Sequence, residues 1–309
     1  MDKNVIKYIE NALKEILGNN FRIYRYNFFK QGNSHLIYIL HTNQGKLALK
    51  ILKSNRDVSV LSNTIKAHNI LQKIGLTHSE VITYNICPKK YSLLYIIHKF
   101  IEGDDLETLY STLNKEDLNR IFYDLGVYLR LMHTYKANHF SKDISFNKTF
   151  DSWESFLIER LEKEMKFMID TSMATQPCLE HIETSIRNMV KDISFSTISP
   201  TFVHRDIHPA NILIRNKKFV SLIDFEISWF SDPLWDFNKL DVFFFNNRPE
   251  LKEKMLDGYN INNRAFKEEY SARLNLNRMF EYMWAFRNYY VDKDYDTSRF
   301  YLNLLTKSL

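Results

Sequence analysis

Apolar positions along the first seventeen residues fall near helical spacing: Val5, Ile6, Ile9, Leu13, Ile16 and Leu17. They predict an opening amphipathic helix over 5–17. From Phe21 the pattern changes. The segments FRIYRYNFF, HLIYILHT and KLALKIL are rich in β-branched and aromatic residues, with turn residues at 31–34 and 43–45. This pattern predicts an antiparallel meander of about three strands. A helical stretch over 59–74 ends at Gly75, and the runs EVITYNI and SLLYIIHKF read as two further strands.

Beyond Glu102 most of the chain has helical periodicity. Asn114 is positioned as an N-cap, with Glu116 and Asp117 in the first turn where the dipole favours acids. Further helices are expected over 152–168, over 180–193 and through the last sixty residues. One island interrupts them: FVHRDIHPANILI and KFVSLIDFEI are short strand-like pieces around a polar loop. The chain therefore divides near 99–103 into a β-rich domain, 1–101, and a helical domain, 102–309. The expected fold class is α+β.

Composition narrows the function classes. The 309 residues suffice for about two domains and a real core. A net charge of +5 without a dense Lys/Arg run gives no nucleic-acid footprint. Two cysteines cannot build a disulfide framework and fit a reducing compartment. The opening segment is charged throughout, and no run approaches the roughly 18 apolar residues of a membrane span. A soluble, cytoplasmic protein is expected, with no membrane and no nucleic acid among its partners. Only seven glycines occur, the closest pair 13 positions apart. That spacing excludes both the G-x-G-x-x-G fingerprint and the P-loop.

The chemistry concentrates in the island. His204-Arg205-Asp206 is followed by Asn211 and then by Asp224-Phe225-Glu226. This is the H-x-D-x4-N…D-F spacing of kinase catalytic and metal-binding loops. Phosphoryl transfer needs a carboxylate to orient the attacking hydroxyl, hard oxygen ligands for Mg²⁺ and a cation on the nucleotide phosphates. Asp206 is the expected base, Asn211 and Asp224 the expected metal ligands. Ala48-Leu49-Lys50 fits the V-A-I-K pattern, with Lys50 on the phosphates and Ala48 over the adenine. Gly32 and Ser34, in the preceding turn, are expected to cover the phosphates. The competing reading is a polar turn between buried strands, a plain β-turn at 31–34 and a solvated strand-end lysine.

With these residues in view, the chain resembles the aminoglycoside phosphotransferase-like kinases, the superfamily that includes choline kinase-like enzymes. The resemblance runs from about Phe21 to Leu240 through QGNSHLIYIL, LALK, KFIEGDDL, LGVYLRLMH, FVHRDIHPANIL, LIDFE and SDPLWDF. It implies a bilobal protein-kinase-like fold, with a small antiparallel β-sheet lobe carrying one main helix and a larger helical lobe. It implies ATP, or GTP in its place, and Mg²⁺, with Lys50, Gly32, Ser34, Ala48, Lys99, Ile101, Leu213 and Ile223 as the nucleotide-binding set. Asp232-Pro233 and Asp236 follow Asp224 too closely for a protein-kinase activation segment. The implied reaction is therefore phosphoryl transfer to a hydroxyl of a small molecule: an antibiotic, an amino alcohol or a sugar-like acceptor. Asp236 is expected to brace the catalytic loop, and His208 either to stabilise that loop or to approach the γ-phosphate.

The chain departs from the kinase pattern at one place. No acid lies between Asp57 and Glu80 to supply the usual helix glutamate for the strand lysine. Asp57 or Asp224 is left to hold Lys50, Lys66 lies near the glutamate's usual place, and the alternative function is a catalytically impaired nucleotide-binding or scaffold protein. The acids at 154–164 alternate with bases and read as a solvated helix face. The aromatics Tyr282, Trp284, Phe286, Tyr289 and Tyr290 read as core, with an acceptor-stacking role as the alternative.

Overall fold

The computed structural model describes residues 3–31, 34–54, 56–87, 93–193, 198–260 and 264–309, with 30–31 and 264–269 described by backbone alone. The opening helix α1 (Lys3–Leu17) buries Ile9 and Leu13. Three strands follow, β1 (Ile23–Gln31), β2 (His35–Thr42) and β3 (Gly45–Leu52), then α2 (Ser59–Lys73), β4 (Val81–Asn85) and β5 (Tyr95–Lys99). They form one antiparallel sheet in the order β1-β2-β3-β5-β4. One face packs on α1 through Phe21, Leu40, Leu47, Leu49 and Ile97. β3 pairs with both β2 and β5, which places Lys50 opposite Ile37 and Ile96 in the middle of the sheet.

The chain then crosses at Gly103, whose φ of +152° is open to glycine and strained for other residues; a Cβ there would lie 2.8 Å from the Ile214 carbonyl oxygen. The short strand β6 (Asp104–Asp105) and helix α3 (Leu106–Leu109) follow, and then α4 (Lys115–Met132). Asn114 and Asp117 close a capping box at the start of α4, where the pattern of acids placed it. Two small strands, β7 (Phe140–Ser141) and β8 (Thr149–Phe150), precede α5 (Trp153–Thr171) and α6 (Gln176–Asp192).

The island folds as β9 (Thr201–Val203), a loop, and the hairpin β10 (Ile212–Arg215) and β11 (Lys218–Leu222), followed by β12 (Trp229–Ser231). β10 lies between β11 and β6, while β12 lies between β7 and β9. The helices α7 (Trp235–Phe243), α8 (Pro249–Tyr259), α9 (Arg264–Val291) and α10 (Tyr295–Lys307) complete the chain. One core joins α4, α8 and the underside of the hairpin through Phe122, Leu125, Ile212, Leu222, Phe225 and Met255. A second core joins α5, α6, α9 and α10 through Trp153, Phe156, Ile182, Met279, Phe286 and Leu305. The loops between β9 and β10 and after β11 thus stand on two packed cores and face the sheet.

The structure departs from the sequence pattern at one acid. Glu164 is not part of a solvated face: it is buried and accepts from the Arg287 Nε at 2.7 Å. The lysines and arginines nearby masked a helix with two buried flanks, since Leu161, Glu164, Met165 and Met168 all face inward.

Candidate active site

The loop after β9 is held by Asp236 near the start of α7. This fully buried carboxylate accepts from the His204 backbone N–H at 2.9 Å and from the Arg205 N–H at 2.5 Å. A third partner, His133 Nε2 on the last turn of α4, lies 3.0 Å away, and its Nδ1 is 2.7 Å from the Tyr259 hydroxyl on α8. Three donors offset the cost of burying the charge. They also hold Arg205 at φ +72°, a left-handed conformation that costs a non-glycine residue energy and recurs at functional sites. The expected bracing role of Asp236 therefore has its geometry. His204 carries the order onward: its Nδ1 accepts the Asp206 N–H at 3.1 Å, and its Nε2 then donates to the Ile223 carbonyl at 2.8 Å. One imidazole ties the Asp206 loop to the strand end that precedes Asp224.

Asn211 closes the loop. Its Nδ2 donates to the Asp206 carbonyl at 2.9 Å and lies 3.0 Å from His208 Nε2, which leaves Oδ1 as an acceptor. The Ile223 N–H donates to the Asn211 carbonyl at 3.0 Å, fixing Asn211 beside Asp224. Asp224 has φ +70° and pairs with Lys50 at 2.8 Å. Burial alone would push the Asp224 carboxyl up, yet Lys50 outweighs it and holds the group down to about 2. Burial likewise works against the charge on Lys50, but Asp224 and Glu226 reverse the sign and its pKa is raised. Both partners are charged across the physiological range.

The missing helix glutamate is replaced by a different construction. Asp57 is exposed and caps the Ser59 N–H, so it does not hold Lys50. Lys66 reaches the Ser145 hydroxyl. Glu226, two residues past Asp224, accepts from the Ser34 hydroxyl at 2.9 Å and sits 3.1 Å from His35 Nδ1. Asn63 on α2 donates to the Glu226 and Ser228 carbonyls at 2.9 and 3.0 Å and accepts from the Ile144 N–H at 2.8 Å. The helix therefore grips the loop backbone rather than the lysine. The Ser34 hydroxyl, expected over the phosphates, is buried and donates to Glu226. Gly32 lies outside the described residues.

A cleft of about 400 Å³ runs between the sheet and the hairpin. Its walls include Ala48, Lys50, Lys99, Ile101, Asn211, Leu213, Ile223 and Asp224, which joins residues from both halves of the chain. Lys99 contributes from the strand end, with its amine 2.5 Å from Glu80 outside. His98 and His68 stand at the back, ring centroids 4.9 Å apart. Burial and the nearby Lys50 charge push His98 down to about 3, and burial and His98 push His68 well down, so both are neutral.

Asp206 lies next to Lys239 and His208, two residues that line a second cavity. Its Oδ1 pairs with Lys239 on α7 at 2.5 Å, and its Oδ2 is 3.9 Å from His208 Nε2. Burial would raise the Asp206 pKa; Lys239 and His208 offset this and leave it below the usual value, so the carboxylate is ionised at neutral pH. His208 is pushed down, mainly by burial, and is neutral. Lys239 escaped the motif search, although it lies three residues after Asp236 and so on the same helix face. That spacing was the available signal. Trp284 and Tyr289 line this cavity, whereas Phe286 is buried in the helical core.

The donor set suits Mg²⁺ better than a metal held by protein alone. Among the described residues no group of three or more His, Cys, Asp or Glu could hold a metal. One aspartate and one asparagine oxygen beside the cleft suit Mg²⁺, which is bound through one or two protein ligands and keeps water and phosphate oxygens.

A family model described as "Phosphotransferase enzyme family" matches residues 25–270. A search of curated protein sequences gave no match. Among solved structures, ADP-bound aminoglycoside phosphotransferase APH(2'')-Ib aligns with a TM-score of 0.73 and 17% identity over 100% of this chain and 98% of that one. The gentamicin complex of APH(2'')-IIa aligns at 0.72 and 18% identity over 99% and 96% of the two chains. A ternary complex of APH(4)-Ia with AMP-PNP and hygromycin B aligns at 0.69 and 17% identity over 97% and 98%. The fold is thus that of the aminoglycoside kinases, a protein-kinase-like fold.

Proposed function

Because the chain belongs to the phosphotransferase enzyme family, we propose that it transfers the terminal phosphoryl group of ATP, or of GTP in its place, to a hydroxyl of a small molecule. The single observation that carries this reading is the assembly around the Lys50–Asp224 pair. The two residues come from opposite halves of the chain, meet at 2.8 Å, and stand beside Asn211 in a cleft of nucleotide size. The proposed nucleotide site comprises Ala48, Lys50, Lys99, Ile101, Leu213 and Ile223, between lobes dividing at 101–102. Asn211 and Asp224 would hold Mg²⁺, which when bound neutralises phosphate charge.

Asp206 is the proposed base. In the transfer, the acceptor oxygen bonds to phosphorus as the bond from that phosphorus to the bridging oxygen breaks. The hydroxyl proton passes to the Asp206 carboxylate, and the nucleoside diphosphate leaves with the bonding electrons. The low pKa of Asp206 suits a late proton transfer: the carboxylate orients the hydroxyl first and takes the proton as the new bond forms. Asp206→Ala should slow transfer by roughly 10²–10⁴. The same variant should keep MgATP affinity within about a factor of three, because the lost group acts on the acceptor. Unchanged transfer in Asp206→Ala contradicts the mechanism. Binding of MgATP without transfer to any alcohol by the unaltered protein would favour the scaffold reading.

A further inference from the structure

The second cavity, about 550 Å³, is lined by Lys239 and His208, the neighbours of Asp206, and is within the range of small-molecule sites. Its walls are aromatic: Trp284, Tyr289 and Tyr301 from α9 and α10, and Phe243 and Phe244 at the end of α7. Tyr289 and Tyr301 stack at 5.6 Å with planes 10° apart, presenting a flat apolar wall. Glu107 is the one carboxylate among the described residues that line it.

A polycationic acceptor needs unpaired carboxylates and open aromatic faces. Here Asp206 and the Trp284 face are engaged by the protein's own cations. Lys239 holds Asp206 at 2.5 Å, and the same amine sits 4.6 Å over the Trp284 ring. The Arg205 guanidinium lies 3.8 Å over Trp229 and 6.0 Å from Trp284. Two acids of the neighbouring helices are turned inward: Glu164 on α5 is paired with Arg287, and Glu281 on α9 is buried beside Asn238. An ammonium entering the cavity would meet Lys239 at the point where its hydroxyl must react, and like charges there repel.

Resting on the phosphotransferase reading above, we propose that the acceptor is a non-cationic alcohol, neutral or anionic, with a flat apolar face that stacks in this cavity. Lys239 is its specificity-determining residue. The amine excludes ligand cations from Asp206 and favours an acceptor whose polar edge is an oxygen or a carboxylate. The acceptor would thus differ in charge from gentamicin, the ligand of the related APH(2'')-IIa complex.

The test uses three matched hydroxymethyl-naphthalenes carrying a carboxylate, a carboxamide or an aminomethyl group at the same position, with gentamicin as a fourth probe. Binding to the full-length protein with Mg²⁺ and AMP-PNP is read by tryptophan fluorescence and calorimetry. The carboxylate and carboxamide should bind roughly tenfold or more tighter than the amine, the scale of one partly screened charge contact. Lys239→Met should abolish or invert that order, and Trp284→Leu should weaken all three together. Tightest binding by the amine or by gentamicin, indifference to charge, or no binding by any probe would overturn the proposal. AMP-PNP binding in the same samples separates the two claims. Its absence defeats the phosphotransferase reading, whereas its presence with the wrong probe order defeats this inference alone.

Discussion

At the scale of single residues, the site is a set of charges whose neighbours decide their states. Lys50 and Asp224 hold each other ionised, Lys239 does the same for Asp206, and the imidazoles of His68, His98 and His208 remain neutral. The histidines make stability depend on pH. Unfolded, His68 and His98 take a proton near pH 6.5; folded, His98 does so only near 3 and His68 well below its usual value. Between those limits the unfolded state binds more protons, so stability is full above pH 6.5 and falls as the pH drops. The slope is up to about 1.4 kcal/mol per pH unit for each histidine. Urea unfolding at pH 7.5 and pH 5 should show this loss, and His68→Phe with His98→Phe should flatten it. An equal pH dependence in the double variant contradicts the assignment. The residues with fixed motif spacing, Asp206, Asn211, Asp224 and Lys50, were legible in the sequence. Lys239, Glu226 and Asn63 were not, because their roles arise from contacts across 33 to 192 positions of chain.

At the scale of elements, the strong periodicities became the helices and the five-stranded sheet, in nearly the expected places. Asn114 caps α4, Gly75 follows α2 at φ +70°, and the meander of three strands is present. The pairs of two- and three-residue strands that hold the loops had no legible period, since so short a strand carries no alternation. Glycine scarcity has a consequence here. Gly126 on α4 and Gly258 on α8 are where two helices touch: a Cβ on Gly126 would lie 2.1 Å from the Met255 carbonyl oxygen, and one on Gly258 2.0 Å from that of Tyr123. Because the obstructing atoms are backbone, a methyl forces the helices apart. Gly126→Ala should therefore destabilise the protein by about 1–3 kcal/mol or more, despite the better helix propensity of alanine. Thermal unfolding of Gly126→Ala at or above the melting temperature of the parent would refute this close approach. Moving α4 also displaces His133, and with it the support of Asp236.

At the scale of the molecule, the sheet brings Lys50 and the helical half brings Asp206, Asn211 and Asp224, and the cleft exists only where the two meet. Among the described residues no helix is long and apolar enough to cross a membrane. The expected division into a β-rich part and a helical part rests on the abrupt change of hydrophobic period near residue 100. The second cavity was not legible, because its walls come from α3, α7, α9 and α10, whose aromatics repeat like ordinary core. The central claim is that this cleft binds a nucleotide through a metal held by Asp224 and Asn211. Calorimetric titration of ATP with Mg²⁺ and with EDTA, on the unaltered protein and on Asp224→Ala, tests it most directly. The account predicts binding that requires Mg²⁺ and weakens by about tenfold or more in Asp224→Ala, the loss expected for a metal-bridged phosphate contact. Metal-independent binding, or equal affinity in the variant, would contradict it.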